Sequence, residues 1–315
     1  MKILVTGATG FIGKNLVKYL LAEDHDIVCL VRRTSRTGFL EGSGAALVTG
    51  DITDAAEVDE VFRKVRPQAV FHCAAGIRDK SEAELCRVNA EGTRNICQAC
   101  RRHDTGRLVY LSSVAVISGN PQVPLVDDLP YKATTAYGRT KIEAERIVMD
   151  FRKKGLHVAV IRPCMVYGED EPHALNRLLN LARSRRIPIF DVPGMDSRLD
   201  LVYVGNVVRA LLLALEKDAA TEGTFMVTDM QTITLRRFLE ILYDEMGVGY
   251  PPVVPAFLAK LLMIAPPLRK KADRFFKDRV YDVTRAVKLL GYSPLMSTEE
   301  GLRQTVRHWR HICPG

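Results

Sequence analysis

The apolar segment Ile3-Leu4-Val5 runs directly into Thr6-Gly7-Ala8-Thr9-Gly10-Phe11-Ile12-Gly13, and no other stretch restricts the fold as strongly. Glycines at 7, 10 and 13 lie where an apolar strand must stop and the helix-period segment 11–23 must start. In such a turn each glycine has its own reason: a tight bend, close approach of backbone to a pyrophosphate, and close packing of helix on strand. The free amides of the helix start attract phosphate oxygens. The segment is therefore expected to open the first strand-turn-helix unit of a dinucleotide-binding sheet.

The rest of the chain supports that frame. Short β-branched runs at 2–6, 26–31, 69–73, 107–112 and 157–162 alternate with helix-period segments near 11–23, 54–66, 85–103 and 134–154. Strands alternating with helices imply a parallel sheet covered on both faces. The expected class is α/β: a Rossmann-type doubly wound parallel sheet with a smaller, mostly helical C-terminal lobe for substrate. The expected boundaries are 1–165 for the dinucleotide domain, with 200–228 returning to it, and 166–199 with 229–315 for the lobe. Past Arg162-Pro163 the pattern predicts helices at 171–185 and 206–216 around a Pro/Gly/Asp-rich loop at 188–198. A strand at 224–227 and helices near 234–246, 255–264, 282–290 and 298–311 follow. Ser297-Thr-Glu-Glu300 has the spacing of a capping box, and Gly291-Tyr-Ser-Pro294 is the matching stop before it.

At 315 residues and 47% hydrophobic content the chain can bury a large core. Met1 leads straight into the first motif, with no room for a charged region, an apolar run and a cleavage site, so no signal peptide is expected. No apolar run approaches the roughly eighteen residues that span a bilayer, and a soluble, cytoplasmic protein is the expectation. Seven cysteines follow no secreted-framework spacing and are expected to be mostly reduced. Cys97-Gln-Ala-Cys100 with His103 lacks a second ligand pair, so it reads as helix packing and no metal is expected. The net charge of +8 suits phosphorylated small molecules. With dispersed basic residues, one Trp and no nucleic-acid module, no nucleic-acid partner is expected.

Chains that prefer NAD place an acid after the second strand, where it meets the ribose hydroxyls. Here Val31-Arg32-Arg33 stands there, and a guanidinium at Arg32 suits a 2′-phosphate, so NADP is favoured over NAD. The bland alternative is a solvated loop. After the third strand, Asp51 in Gly50-Asp51-Ile52-Thr53-Asp54 can accept from an adenine amino group, and Asp54 reads as a helix cap. His72-Cys73-Ala74-Ala75-Gly76 ends the fourth strand with small residues that admit a ribose, and His72 itself reads as core.

Tyr137-Gly-Arg-Thr-Lys141 carries the chemistry. On a helix these positions share a face one turn apart, so the Lys141 ammonium is expected beside the Tyr137 phenol. A neighbouring cation favours the phenolate and suits Tyr137 to exchange a proton. Ser112 and Ser113 lie upstream at the end of an apolar strand, where they point to opposite faces and so cannot be interchangeable.

Together these residues resemble the extended short-chain dehydrogenase/reductase superfamily, also called the NAD-dependent epimerase/dehydratase family, nearest its 3β-hydroxysteroid dehydrogenase-like branch. The likeness covers nearly the whole chain: the glycine motif at 6–13, Asp51, His72 to Ala75, Asn89, Ser112-Ser113, Tyr137 with Lys141, and Arg162-Pro-Cys-Met-Val-Tyr-Gly168. The resemblance implies that Ser113 hydrogen-bonds the substrate oxygen and Tyr137 exchanges its proton. It implies that Lys141 tunes Tyr137 and holds the nicotinamide ribose. Gly7, Thr9, Gly10, Phe11, Ile12, Gly13, Arg32, Asp51, Ile52, Ala74, Ala75, Pro163 and Val166 would bind the dinucleotide together with Tyr137 and Lys141. Helices near 85–103 and 134–154 resemble those that pair subunits, implying a homodimer.

Dehydratases of that superfamily carry an Asp-Glu pair after the hydroxyl residue, where this chain has Val114 and Ala115. Sugar-acid decarboxylases carry a glutamate nearby, also missing. The expected reaction is hydride transfer between nicotinamide and a ketone or secondary alcohol. The alternative is a nucleotide-sugar 4-epimerase, and a third possibility is a dinucleotide sensor without turnover. Arg32, Asn206 in place of the acid of sugar epimerases, and an apolar lining from Ile187-Pro-Ile-Phe-Asp-Val-Pro193 favour the first. Arg198 keeps the second open as a phosphate ligand. The segment 253–271 is expected to be a lid over the pocket or a peripheral membrane contact.

Overall fold

A computed structural model describes the chain except residues 24, 78–79, 173, 185–186, 188, 222, 258–275 and 314–315. Its centre is a parallel sheet of seven strands. They are β1 (Lys2–Thr6), β2 (Asp26–Val31), β3 (Ala46–Thr49), β4 (Ala69–His72), β5 (Arg107–Leu111), β6 (Val158–Pro163) and β11 (Thr224–Val227), in spatial order β3-β2-β1-β4-β5-β6-β11. The order reverses between β1 and β4. At such a switch point the connections leave in opposite directions and open a crevice beyond the strands' carboxyl ends.

Two hydrophobic cores cover the sheet. On one face lie α1 (Phe11–Leu21) and α7 (Val204–Glu216), with Leu16, Leu20, Val207 and Leu211 buried against Ile3, Val5 and Phe71. The other carries α2 (Ala55–Val65), α4 (Gly92–Arg102) and α5 (Ala136–Lys153), with Phe62, Ile96 and Val148 against Leu4, Val70 and Leu108. Successive strand residues alternate between the cores, as the pleat requires. Asp54 caps α2, accepting from the amides of Ala56 and Glu57.

A third core gathers the remaining elements. The helices α6 (Ala174–Arg183), α8 (Leu235–Met246) and α9 (Thr298–Ile312) bury Leu179, Leu242, Val306 and Trp309 together. Short strand pairs join them to the sheet: β7 (Met165–Tyr167) with β10 (Leu201–Tyr203), β9 (Arg198–Leu199) with β12 (Ile233–Thr234), and β8 (Ile189–Phe190) with β13 (Val253–Val254). The capping box of Ser297 and Glu300 is present, and Gly291 takes the left-handed conformation at φ 66°.

Three expectations need correction. The helix expected over 85–103 is interrupted: α3 (Glu82–Cys86) passes through a π turn at Arg87–Glu91 before α4 begins. A π turn inserts one residue and swings a side chain off its helical stripe; here it turns Asn89 inward. The helix expected at 282–290 is likewise a π turn over Ala286–Leu290. Within the apolar loop at 187–193, Ile189 and Val192 do not supply a free lining, because both are buried in the third core. Most of 253–271 lies outside the described residues; among those described, no helix is long and apolar enough to cross a membrane.

Candidate active site

The glycine turn is shaped by what a side chain would strike. Gly7 sits at φ +72°, and a Cβ there would lie 2.5 Å from the Ala74 amide; one on Gly13 would lie 2.2 Å from the Gly7 carbonyl. Both contacts are impossible for a real side chain, so strand β1, helix α1 and the loop after β4 meet at backbone distance. Gly10, the N-cap of α1, offers no side-chain cap to the helix amides. These features fit the phosphates of a dinucleotide, with Thr9, Phe11 and Ile12 on the same turn.

His72, at the end of β4, is fully buried. Its Nδ1 pairs with Thr6 Oγ1 at 2.7 Å and its Nε2 with Thr93 Oγ1 at 3.0 Å. Burial, then the charge of Lys141, push its pKa down to about 3, so it is a neutral core residue. Thr6 Oγ1 also accepts from the Ala74 amide at 3.3 Å, fixing the start of the Ala74-Ala75 loop. Asn89 fixes the loop's end: its Oδ1 accepts from the Gly76 amide at 2.7 Å, and its Nδ2 donates to the Gly76 carbonyl and to Thr140 Oγ1. Thr140 then donates to the Tyr137 carbonyl.

On the adenine side, Asp51 accepts from the Thr53 amide and hydroxyl, each at 2.9 Å. Burial raises its pKa, but the Thr53 bonds and the charges of Arg32 and Arg87 outweigh it and hold the carboxyl below the usual range. Arg32 and Arg87 are both exposed. Ile52 is buried under Gly92, and its carbonyl accepts from Asn95 Nδ2. Arg87 was not legible as part of this cluster, since nothing local in the sequence relates a residue after α3 to the end of β2.

The reactive end lies across the carboxyl ends of β4, β5 and β6. Ser113, just past β5, is extended and partly exposed, its Oγ accepting from the Ala115 amide at 3.2 Å. It lies beside the half-buried Tyr137 on the first turn of α5, close enough to lower that phenol's pKa. The preceding Ser112 points the opposite way, into the core, and donates to Glu145. The two serines are thus separated as strand alternation requires, and Ser113 is the one beside the phenol.

Lys141 differs from expectation. It is 1% exposed; its ammonium donates to the Leu111 carbonyl at 2.8 Å and stands 4.3 Å above the Tyr110 ring. Desolvation draws its pKa down to about 7 against the raising influence of Glu145. The Tyr137 phenol is not drawn down: burial pushes it up to about 12, against a lowering influence from Ser113. Helical spacing brings Lys141 to the right face, but the nearest free acceptor is a strand-end carbonyl, and the ammonium goes there. Pro163 closes β6 in the sheet beside this group, and Val166, one step into β7, pairs with Val202.

Around these residues runs a set of buried charges that sequence reading missed. Glu145, with no exposure, accepts from Arg162 Nε at 3.0 Å, Arg162 Nη2 at 2.6 Å and the Tyr131 hydroxyl at 2.9 Å. In the lobe, Asp229 accepts from the Tyr203 amide, Asn206 Nδ2 and the Tyr167 hydroxyl. Asn206 also accepts from the Leu295 amide and donates to the Met296 carbonyl, so an amide that both gives and takes is needed there. Arg198, exposed at the surface, pairs with Asp278: its amide donates to Asp278 Oδ1 at 2.7 Å, and its Nε and Nη2 donate to Oδ2 at 2.9 and 2.7 Å. Cys97 and Cys100 are core residues, and His103 pairs with Asp59 at 2.9 Å.

A switch-point crevice with a glycine turn and a serine-tyrosine pair defines a Rossmann-type dinucleotide-binding protein of the short-chain dehydrogenase kind. The chain belongs to the NAD dependent epimerase/dehydratase family, whose profile matches residues 3–227. It is 29% identical over 338 residues to sterol-4-alpha-carboxylate 3-dehydrogenase, decarboxylating, of Mus musculus, covering 99% of this chain and 91% of that protein. It is 32% identical over 289 residues to sterol demethylase protein B of Methylococcus capsulatus, covering 89% and 84%. In fold it matches the UDP-glucose 4-epimerase of Thermotoga maritima with a TM-score of 0.82 at 24% identity, over 99% of each chain.

Proposed function

We propose that the protein is an NADP-preferring oxidoreductase that moves hydride between nicotinamide and a ketone or secondary alcohol on an apolar, ring-type substrate. The observation that carries this reading is the juxtaposition of Ser113 and Tyr137 at the carboxyl ends of the strands, with Lys141 one turn along α5. In the reductive direction Ser113 and Tyr137 both donate toward the oxygen of the carbonyl, where negative charge develops. Tyr137, protonated because burial holds its pKa high, then gives its proton to that oxygen. Bound NADPH would supply the hydride. Gly7 to Gly13, Asp51, Ile52, Ala74, Ala75, Lys141, Pro163 and Val166 would hold the dinucleotide.

Two exposed apolar side chains support an apolar substrate: Ile77, directly after the clamped Gly76, and Met165, two residues beyond Pro163. The names of the sterol-acting relatives point the same way. The Arg198–Asp278 pair counts against a sugar nucleotide, because Asp278 takes the Nε–Nη2 edge of the guanidinium and its charge opposes a diphosphate there. Asp278→Asn is expected to create binding of uridine diphosphate by calorimetry where the parent shows none. Micromolar binding by the parent would instead restore the epimerase reading.

For the cofactor, Arg32 with Arg87 nearby makes a cationic edge at the ribose end of the site, with no acid at the end of β2. Denaturing freshly purified protein and separating the released dinucleotide is the direct test: stoichiometric NAD counts against an exchanging NADP enzyme. Arg32→Ala is expected to weaken NADPH binding by about 10- to 100-fold, the scale of one charge-assisted hydrogen bond. NADH binding should stay within about twofold on that account. Equal loss for both cofactors would remove Arg32 from phosphate recognition.

A further inference from the structure

We propose that Glu145 is a positioning residue for the reaction: its single carboxylate holds in register the strand ends that carry Ser113 and Pro163, and it sets the charge environment of Lys141. This rests on the assignment of Ser113, Tyr137 and Lys141 made above.

Glu145 lies one turn beyond Lys141 and two beyond Tyr137 on the same face of α5. Both its oxygens are saturated. Oε1 takes the Ser112 hydroxyl and Arg162 Nε, while Oε2 takes Arg162 Nη2 and the Tyr131 hydroxyl. Ser112 is the residue before Ser113, and Arg162 is the residue before Pro163. A shift of this carboxylate therefore moves the hydroxyl that lies beside Tyr137 and the strand end next to it. The brace extends outward, since Arg162 Nη1 donates to the Asp127 carbonyl at 2.8 Å and Asp127 Oδ1 accepts from the Met226 amide on β11 at 3.0 Å.

Packing alone does not account for a charged pair here. A buried carboxylate and guanidinium give up their hydration, and apolar residues of similar volume often hold a core as well or better. What apolar residues cannot supply is negative charge near Lys141, whose own contacts are a carbonyl and a ring face. The titratable groups that face Lys141 are Glu145 on its own helix, Cys73 and His72 at the end of β4, and Tyr110 on β5. His72 is held neutral, and burial keeps the Cys73 thiol protonated, pushing it up to about 12. Glu145 is thus the anion that opposes the desolvation of Lys141.

The test is the pH profile of ketone reduction with NADPH, in the parent, Glu145→Gln and Glu145→Gln/Arg162→Gln, with folding checked by circular dichroism. The double variant carries the decision, because it removes the guanidinium and the carboxylate of the pair together, so that neither is left facing the loss of the other. Both variants are expected to lose turnover by about tenfold. Both should also move the alkaline limb, where Lys141 gives up its proton, to lower pH by about one unit, the scale of losing one nearby opposite charge. A folded double variant whose limb stays at the parent's pH overturns the proposal, and so does failure of the double variant to fold, which would make the pair a structural brace. Tyr137→Phe, run alongside, separates the two levels: if it keeps turnover, the site assignment fails, whereas if only the pH limb is unmoved, Glu145 alone loses its role.

Discussion

Tyr137→Phe is expected to lower turnover by on the order of 10³-fold, from loss of both proton transfer and one donor to the developing alkoxide. NADPH affinity should remain within about twofold. The substitution removes one oxygen from a half-buried ring beside Ser113, so the α5 backbone and the Thr135 cap on the Gly138 amide remain. Stopped-flow binding of NADPH and steady-state reduction of a cyclic ketone measure the two quantities separately. A variant that turns over within tenfold of the parent would take the proton away from Tyr137. An unchanged partner-binding activity with no turnover in either protein would favour the sensor.

The parts of this site legible in the sequence are those in which function and fold demand the same few consecutive residues. Gly7 and Gly13 are needed because backbone meets backbone there, and Tyr137 and Lys141 are related by one helical turn. The doubly wound sheet was legible for a similar reason, since its inner strands are continuous apolar runs between helix-period segments. The short pairs β7–β10, β9–β12 and β8–β13 were not, because strands of two or three residues are too brief to show alternation.

Long-range polar contacts account for most of what stayed hidden. Glu145 reads as one more charged residue on an amphipathic helix until Arg162, Tyr131 and Ser112 are seen to converge on it. Asp127 and Met226 are bonded across 99 residues, and Arg198 and Asp278 across 80. No periodicity relates such positions. The apolar loop at 187–193 was misread for a different reason: apolar content marks a segment for burial but does not distinguish a lobe's own core from the wall of a pocket. Sterol-named relatives and a UDP-glucose 4-epimerase share this fold, so the fold by itself does not name the substrate.

Lys141→Met is expected to abolish measurable turnover and to change how stability depends on pH. In the folded chain the Lys141 pKa is drawn down from 10.5 to about 7 by desolvation, while in the unfolded chain the amine titrates normally. Between those values the unfolded chain binds the extra proton, so parent stability rises as pH increases through this window. As pH falls from about 10.5 toward 7 that contribution is lost, and below about 7 both states carry the proton and this group adds no further pH dependence. Methionine keeps much of the volume and carries no proton. The melting temperature of Lys141→Met relative to the parent should therefore be most favourable near pH 6. That relative advantage should shrink by several degrees toward pH 10, at about 2–4 °C per kcal/mol for chains of this order of size. Unlike Tyr137→Phe, this variant is also expected to bind NADPH more weakly, by about tenfold, if the ammonium holds the nicotinamide ribose through a charge-assisted bond. A difference in melting temperature that stays constant from pH 6 to 10 would show that the amine is not titrating against its burial. The Glu145 inference, which depends on that charge being held in place, would fail with it.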